Sequence, residues 1–465
     1  MFTVLRTSLW GGVFAGKFIG SLCSHKQLQY VMSLLYVLSI QLGGYRKNHP
    51  NLQFAFIWLP VLLYLVEKYL KEQQKKYVIL LGLTMALQFM SGETGVQICA
   101  YTDIAVLAYF ILRARSNGLR MKKYLPDILR ACLLYVALIA VQVLPCLQIL
   151  SFYSSLGGEN SSFDFFTSYS IHPVKLLQVV SPHIFGKNNI YTAFGFQNSS
   201  EMDIELFIGT GCCILVMYSI AFLRKENTVK VPLIMMLFSF IYAAHAHIPF
   251  LSKLLFKIPI VENFRVASRI LFIFVFFSYT CAIIAADHIL TQHDFPRLKI
   301  IILINIFVIA LCISAVLLLN TNSSENNLAG YIFYAFIIPI IFLGIYWLII
   351  HICSKDNNAS LLPSCFFPLS LLLLTIFQIW PFYSITSPEK ADKLQDHDEY
   401  SNELVKDIGY SDYWCAYPFP DGAMQYLYSG NRGSICKVSN INAYESFNHP
   451  GIYKLLTAGD HMQLN

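Results

Sequence analysis

Apolar runs of about 17–25 residues recur along most of this chain, and no other sequence feature constrains its fold as tightly. Wound as a helix, such a run is as long as the hydrocarbon layer of a bilayer is thick. In lipid every backbone N–H and C=O needs a partner within the structure, so only helices and closed barrels span. Barrel strands alternate apolar and polar residues, and these runs do not. Twelve candidate helical spans are legible, at about 2–22, 28–44, 51–70, 77–92, 96–113, 128–150, 205–223, 231–246, 268–290, 299–319, 331–351 and 363–380. The expected fold class is an all-α polytopic membrane protein over residues 1–380, with a small C-terminal extracytoplasmic α/β segment over 381–465.

Composition agrees with this reading. Hydrophobic residues make up 56% and charged residues 13%, where a soluble domain carries about 25% charge. The net charge of +6 calls for no nucleic acid, because loop Lys and Arg in such a chain serve topology first. Most of the twelve cysteines lie inside apolar runs, where they behave as small hydrophobes. Only Cys415 and Cys436 stand in the polar tail, and whether they pair is open. Residues 2–22 hold Arg6 and Lys17 and lead to no Ala-x-Ala site, so no cleavable signal peptide is read.

Loop charges orient the spans. Lys26, then Lys68 to Lys76, Arg113 to Arg130, Arg224 to Lys230, Arg297, Lys299 and Lys355 fall in alternate loops. The positive-inside rule places those loops in the cytoplasm. The opposite loops are poorer in Lys and Arg, with Arg46 and Lys47 the clear exception. Both termini are then outside, as are the long loop 151–204 and the tail. Within that loop, residues 171–186 form an amphipathic piece bounded by Pro173 and Pro182, suited to a short helix at the interface. The tail carries Trp414 and turn signals at Pro420-Asp421-Gly422 and Gly430-Asn431.

One stretch stands apart, from Lys257 to Leu290. Arg265 and Arg269 share a helix face at the outer mouth of its span. There they oppose both the positive-inside rule and the helix macrodipole. They are either interfacial anchors or an anion site, since guanidinium forks and free helix N–H groups both suit phosphate. Asp203 and Glu205 are spaced to hold a divalent cation or to act as a base, or else are solvated acids near a helix N-terminus. Glu93 lies in a short outer turn, as a second acidic candidate or simply as the group that keeps the turn wet. Asp103 and Lys17 are ionisable groups inside apolar runs. His183, His245 and His247 fall on the outer side and read first as satisfied interfacial groups. Nucleophile elbows, zinc motifs and phosphate loops are absent from the sequence.

Several ordered pieces resemble one family. They are Asn48-His49-Pro50 before Phe56-Ile57-Trp58-Leu59-Pro60, the hairpin from Leu80 to Gln97, Val143-Leu144-Pro145, Pro182-His183-Ile184-Phe185-Gly186, Glu205-Leu206-Phe207-Ile208-Gly209, Phe264-Arg265 with Arg269, and Asn442-Ala443-Tyr444-Glu445-Ser446. Together they resemble the bacterial YfhO-type multispanning membrane proteins, which are similar to the GT-C class of polyprenyl-phosphate-sugar glycosyltransferases. The resemblance implies a GT-C-like fold in the bacterial cytoplasmic membrane and transfer of a sugar from a polyprenyl-phosphate carrier to a cell-envelope glycopolymer on the outer face. Arg265 and Arg269 would bind phosphate; Glu205, Asp203 and Glu93 would be the acids, with a divalent cation as the one cofactor they suit. A flippase of lipid-linked glycan or a non-catalytic membrane scaffold are the rival readings. Members of the family usually begin with further spans and an acidic first outer loop. Nothing before residue 28 matches that loop, so the chain reads as a portion of a longer protein or a degenerate relative.

Overall fold

The computed structural model describes residues 2–39, 55–90, 95–155, 163–179, 206–258, 261–264, 266–306, 337–355 and 367–375. All regular structure among them is helical. The N-terminal helices are α1 (Phe2–Gly20), α2 (Gln27–Leu38), α3 (Trp58–Glu72), α4 (Lys75–Phe89), α5 (Gly95–Ser116) and α6 (Leu125–Ser155). The short α7 (Phe163–Thr167) precedes a 3₁₀ turn at Pro173–Val179. Next come α8 (Thr210–Tyr218, prolonged by a π turn at Ser219–Leu223), α9 (Asn227–Ala243), α10 (Pro249–Phe256) and α11 (Leu271–Gln292). Helical residues 295–306 form α12, Ile338–Lys355 form α13 and 367–375 form α14. The chain divides into two compact units, one of 1–141 with 161–383 and one of 142–160 with 384–465. All contacts below lie within the first unit.

The Lys257–Leu290 stretch becomes the axis of this unit. A candidate span at Ala267–Gln292 is 94% buried, against 6% for Leu125–Pro145 of α6. Helix α11 is therefore a span enclosed by other spans, while α6 keeps an apolar face such as lipid would cover. Its phenylalanines meet rings from four neighbours. Phe276 faces Phe18 of α1 and Tyr36 of α2, Phe277 stacks on Tyr109 of α5, and Phe274 meets Phe240 of α9, with centroids 5.4–6.0 Å apart. The hydroxyls of Ser278 and Thr280 donate to the carbonyls of Phe274 and Phe276 one turn back, so these two buried groups are satisfied within the helix.

Helices α1 and α2 pack closely because small residues recur along α1. A Cβ on Gly12 would stand 2.9 Å from the Ser33 carbonyl oxygen, and one on Gly16 would stand 2.7 Å from that of Gln29. Without a side chain the two backbones can meet, the usual solution where apolar residues gain nothing by leaving lipid. Gly209 does the same before α8. It has φ of 92°, and a Cβ there would come within 2.6 Å of the Thr375 side chain. Glycine is the residue that suits both the dihedral and the space.

The loops predicted to share one side do so. Asp287, near the C-terminal end of α11, accepts the backbone N–H groups of Ser24 and His25 in the α1–α2 turn at 2.9–3.1 Å. It also contacts His25 Nδ1 at 2.8 Å. Glu67 of α3, 7% exposed, takes hydrogen bonds from Tyr109 (2.6 Å) and Arg113 (2.9 Å) of α5. Arg113 also reaches the Asn227 carbonyl at the start of α9, and the Asn227 amide returns to the Ser116 carbonyl. Tyr218 of α8 donates to Asp294, which Arg297 holds at 3.0 Å. Lys299 lies 3.5 Å from His351. Every one of these residues belongs to, or adjoins, a loop read as cytoplasmic.

Some boundaries move. Helix α9 ends at Ala243, not at residue 246, so His245 and His247 sit in a 3₁₀ turn beyond it. Helix α6 runs on through Ser155. The described part of the predicted amphipathic piece, residues 171–179, holds a 3₁₀ turn with Val174, Leu176 and Leu177 exposed and Lys175 and Gln178 turned inward. Three described helices are long and apolar enough to cross a membrane by themselves, and four shorter apolar ones join them. The described residues do not set the count of twelve, since several predicted spans lie partly outside them. The tail 381–465 lies outside them too, with Cys415, Cys436 and the expected α/β segment.

Arg113→Met leaves Glu67 buried without its cation and is expected to cost about 3–5 kcal/mol. Unfolding in detergent measures this, and adding Glu67→Gln should recover part of the loss. The orientation has its own check. In a cysteine-free background, a cysteine replacing Lys253 should react with an impermeant maleimide in intact cells, and one replacing Lys75 only after lysis.

Candidate functional site

The outer end of α11 gathers the polar groups that the spans exclude elsewhere. Val266 adopts φ 62° and ψ 59°, a left-handed conformation that a β-branched residue seldom takes. The turn lets its carbonyl oxygen accept the Arg269 N–H at 3.0 Å and starts the 3₁₀ turn Ala267–Ile270. Arg269 is half-buried in that turn, while the residues around it, from Val266 to Ile270, are buried. Ser268 is fully buried, and its hydroxyl has no hydrogen-bond partner.

Helix α5 supplies the facing wall. Gln97 and Tyr101 are one turn apart and share a face. The Gln97 amide donates to the Tyr101 hydroxyl at 2.6 Å and reaches toward the Val266 carbonyl at 3.5 Å. Tyr101 in turn donates to the Tyr242 hydroxyl of α9 at 3.2 Å. Arg269 acts electrostatically on the Tyr101 hydroxyl, so the cation adjoins this chain of donors. Phe264 closes it with an edge-to-face contact on Tyr101.

The chain leads on to a histidine turn. Tyr242 meets His245 edge-to-face with centroids 5.7 Å apart. His245 is fully buried, with Phe166 of α7 stacked on its ring at 4.5 Å. Its Nδ1 lies 2.8 Å from the Ser252 hydroxyl, and that hydroxyl donates to the His245 carbonyl oxygen at 3.0 Å. Ser252 has one proton and gives it to the carbonyl. It must therefore accept from Nδ1, which fixes the neutral ring with its proton on Nδ1 and leaves Nε2 bare. Nε2 has no partner. Burial, and to a lesser degree nearby His247, hold His245 down at about 4. His247, against His172 at 4.6 Å, is lowered by burial and then by His172. The loop segment 170–172 is tied to this turn through Ser170 and Ile171, both bonded to the Ala243 carbonyl.

Of the residues singled out in the sequence, Arg269 alone among the proposed site residues is described here; Arg265, Glu93, Asp203 and Glu205 lie outside the described residues, as does His183. His245 and His247 follow the end of α9 opposite the cross-linked charges, the end read as outer, but His245 is not the satisfied interfacial group expected, because one ring nitrogen is unpaired. Lys17 is exposed, with its ammonium 4.9 Å from the Phe14 ring centroid. Asp103 is half-buried, bonded to Tyr135 of α6 and unpaired at Oδ1, and it stands away from this cluster. Among the described residues no group of three His, Cys, Asp or Glu is placed to hold a metal ion. Gln97 and Tyr101 were legible as an i, i+4 pair on an apolar helix. The Ser252–His245 bond carried no sequence signal, since it depends on the fold-back of α10.

A bundle of apolar helices wrapped around one buried helix, with its cross-linked charges gathered at one end, defines a polytopic helical membrane protein. The chain belongs to the bacterial YfhO membrane protein family, whose model, described as bacterial membrane protein YfhO, matches residues 1–446. No curated protein and no solved structure matches it significantly.

The histidine turn should make stability fall with acid. His245 binds a proton more weakly folded than unfolded, so the unfolded chain takes up more protons below pH 6.5. Stability is full above that pH and is lost as pH falls from 6.5 toward 4. Melting curves in detergent across this window test the point, and His245→Asn should flatten the slope.

Proposed function

We propose that this protein transfers a sugar from a polyprenyl-phosphate carrier to a cell-envelope glycopolymer at the outer face of the membrane, as GT-C-like enzymes do. The carrying observation is Arg269. It stands at the outer mouth of a helix otherwise buried among apolar side chains, beside the Gln97–Tyr101–Tyr242 donors. A guanidinium half-buried at that mouth offers fixed positive charge and a planar fork of donors, which match the oxygens of a lipid phosphate at the depth where the span begins.

The chemistry is displacement at the anomeric carbon with phosphate leaving. Positive charge at the departing oxygen lowers the barrier, because it acts where charge develops. Arg269, with Arg265 four residues earlier, would serve that phosphate. Asp203, Glu205 and Glu93 would be the acidic groups that take the acceptor proton or hold a divalent cation. The carrier's prenyl chain would lie in the lipid beside the bundle. The C-terminal segment would share the extracytoplasmic side with the acceptor.

The test is transfer of radiolabelled hexose from polyprenyl-phosphate hexose to envelope polymer in membranes containing the full chain. Arg269→Ala should lower turnover about 100-fold or more, with Arg269→Lys recovering part, because an ammonium keeps the charge but not the fork. Turnover unchanged in Arg269→Ala would remove the phosphate role. Movement of the labelled lipid across vesicles with no new glycosidic bond would favour a flippase instead.

A further inference from the structure

We propose that the Tyr242 hydroxyl and His245 Nε2 form a paired donor–acceptor site for a neutral hydroxyl group of a sugar or polyol. The inference deepens the transfer reading above and rests on it for the identity of the ligand, which would be the acceptor glycan.

The direction of each hydrogen bond carries the argument. Gln97 donates to Tyr101, and Tyr101 donates to Tyr242. Tyr242 has thus received one proton and still holds its own to give. At the adjacent ring the situation is the reverse. Ser252 pins the proton of His245 on Nδ1, so Nε2 is an acceptor with nothing to accept. The residue is fully buried, so water does not fill that need from bulk solvent. A buried acceptor left unmade costs about 1–3 kcal/mol. A hydroxyl takes one hydrogen bond from Tyr242 and gives one to Nε2 at once. An ammonium has nothing to accept with, and a carboxylate or phosphate has nothing to donate.

Position and cover agree with a ligand that comes from outside. The turn follows the outer end of α9, and the donor chain links it to Arg269. The face of His245 is closed by Phe166 of α7, a five-residue helix in the outer loop rather than in a span. Phe166 also rests on Phe256 of α10, and Ser170 and Ile171 bond the Ala243 carbonyl. Entry of a ligand displaces this cover and leaves the membrane helices in place.

Two amide substitutions separate binding from mere packing. Asn at 245 places an N–H where Nδ1 was and keeps the Ser252 bond, but it has nothing at the Nε2 position. Gln places a carbonyl oxygen near Nε2 and restores the acceptor. In the hexose-transfer assay, His245→Asn should raise the KM for the acceptor polymer at least 10-fold, with the KM for the carrier unchanged. His245→Gln should stay within about threefold of wild type, and Tyr242→Phe should behave as His245→Asn. Equal loss in the Asn and Gln variants, or an unchanged acceptor KM in Asn, would overturn the site.

A second measurement needs neither variant nor turnover. Purified full-length protein is treated with diethylpyrocarbonate, which modifies unprotonated imidazole, and His245 is read by mass spectrometry. Octyl β-glucoside, added over a background of a detergent without sugar, should slow modification of His245 at least fivefold, while octyl-chain detergents lacking hydroxyls should not. Equal rates with and without the glucoside would refute hydroxyl binding. Protection without any hexose transfer by wild type would instead sink the transferase reading and keep the site.

Discussion

Enclosing one helix on all sides is the constraint on which the rest of this structure depends. A helix that meets lipid on one face can leave that face plain, whereas α11 must match a neighbour everywhere. Its Ser278 and Thr280 hydroxyls bond back to their own backbone, and its phenylalanines meet rings from α1, α2, α5 and α9. Charge is admitted only at the ends, where desolvation is least severe. The two ends are used differently. Asp287 at the inner end spends its oxygens on the α1–α2 turn, and Arg269 at the outer end stands among donors and an unpaired serine.

That division gives the molecule a rigid inner face and a less committed outer one. On the inner side carboxylates meet their partners across helices. Glu67 binds α5, Asp287 binds the first turn, and Asp294 joins α8 to the start of α12. Breaking one such pair strands a charge in a poor dielectric, so the pairs hold register between spans that dispersion alone would let slide. The outer side holds hydrogen-bonding capacity that protein groups leave unfilled, at Ser268 and at His245 Nε2.

How far these features could be read beforehand varies with their range. The apolar runs, the loop charges and the singular position of Arg269 are local properties, and each survived into the structure. The glycines at 12, 16 and 20 were equally local, a four-residue repeat that marks close helix packing. The end of α9 was harder. Ala244, Ala246 and Ile248 prolong its apolar pattern, yet the helix stops at Ala243 because the carbonyl there is taken by Ser170 and Ile171 from the outer loop. The same contact decides that His245 is buried rather than interfacial. Its proton location then follows from Ser252, a residue on the next helix.

By itself the sequence determined that this protein is a bundle of membrane helices, which loops share a side, and that one span carries arginine at the mouth away from those loops. Hydropathy and charge act on each segment separately, so they can be summed along a chain. Tertiary structure alone decided that this span is the buried one, that Glu67 answers Arg113, and that Tyr242 meets His245 edge-to-face. Those outcomes depend on how each helix is rotated and set in register against its neighbours, and an apolar run gives no preference to any one rotation until packing and hydrogen bonding between helices choose it.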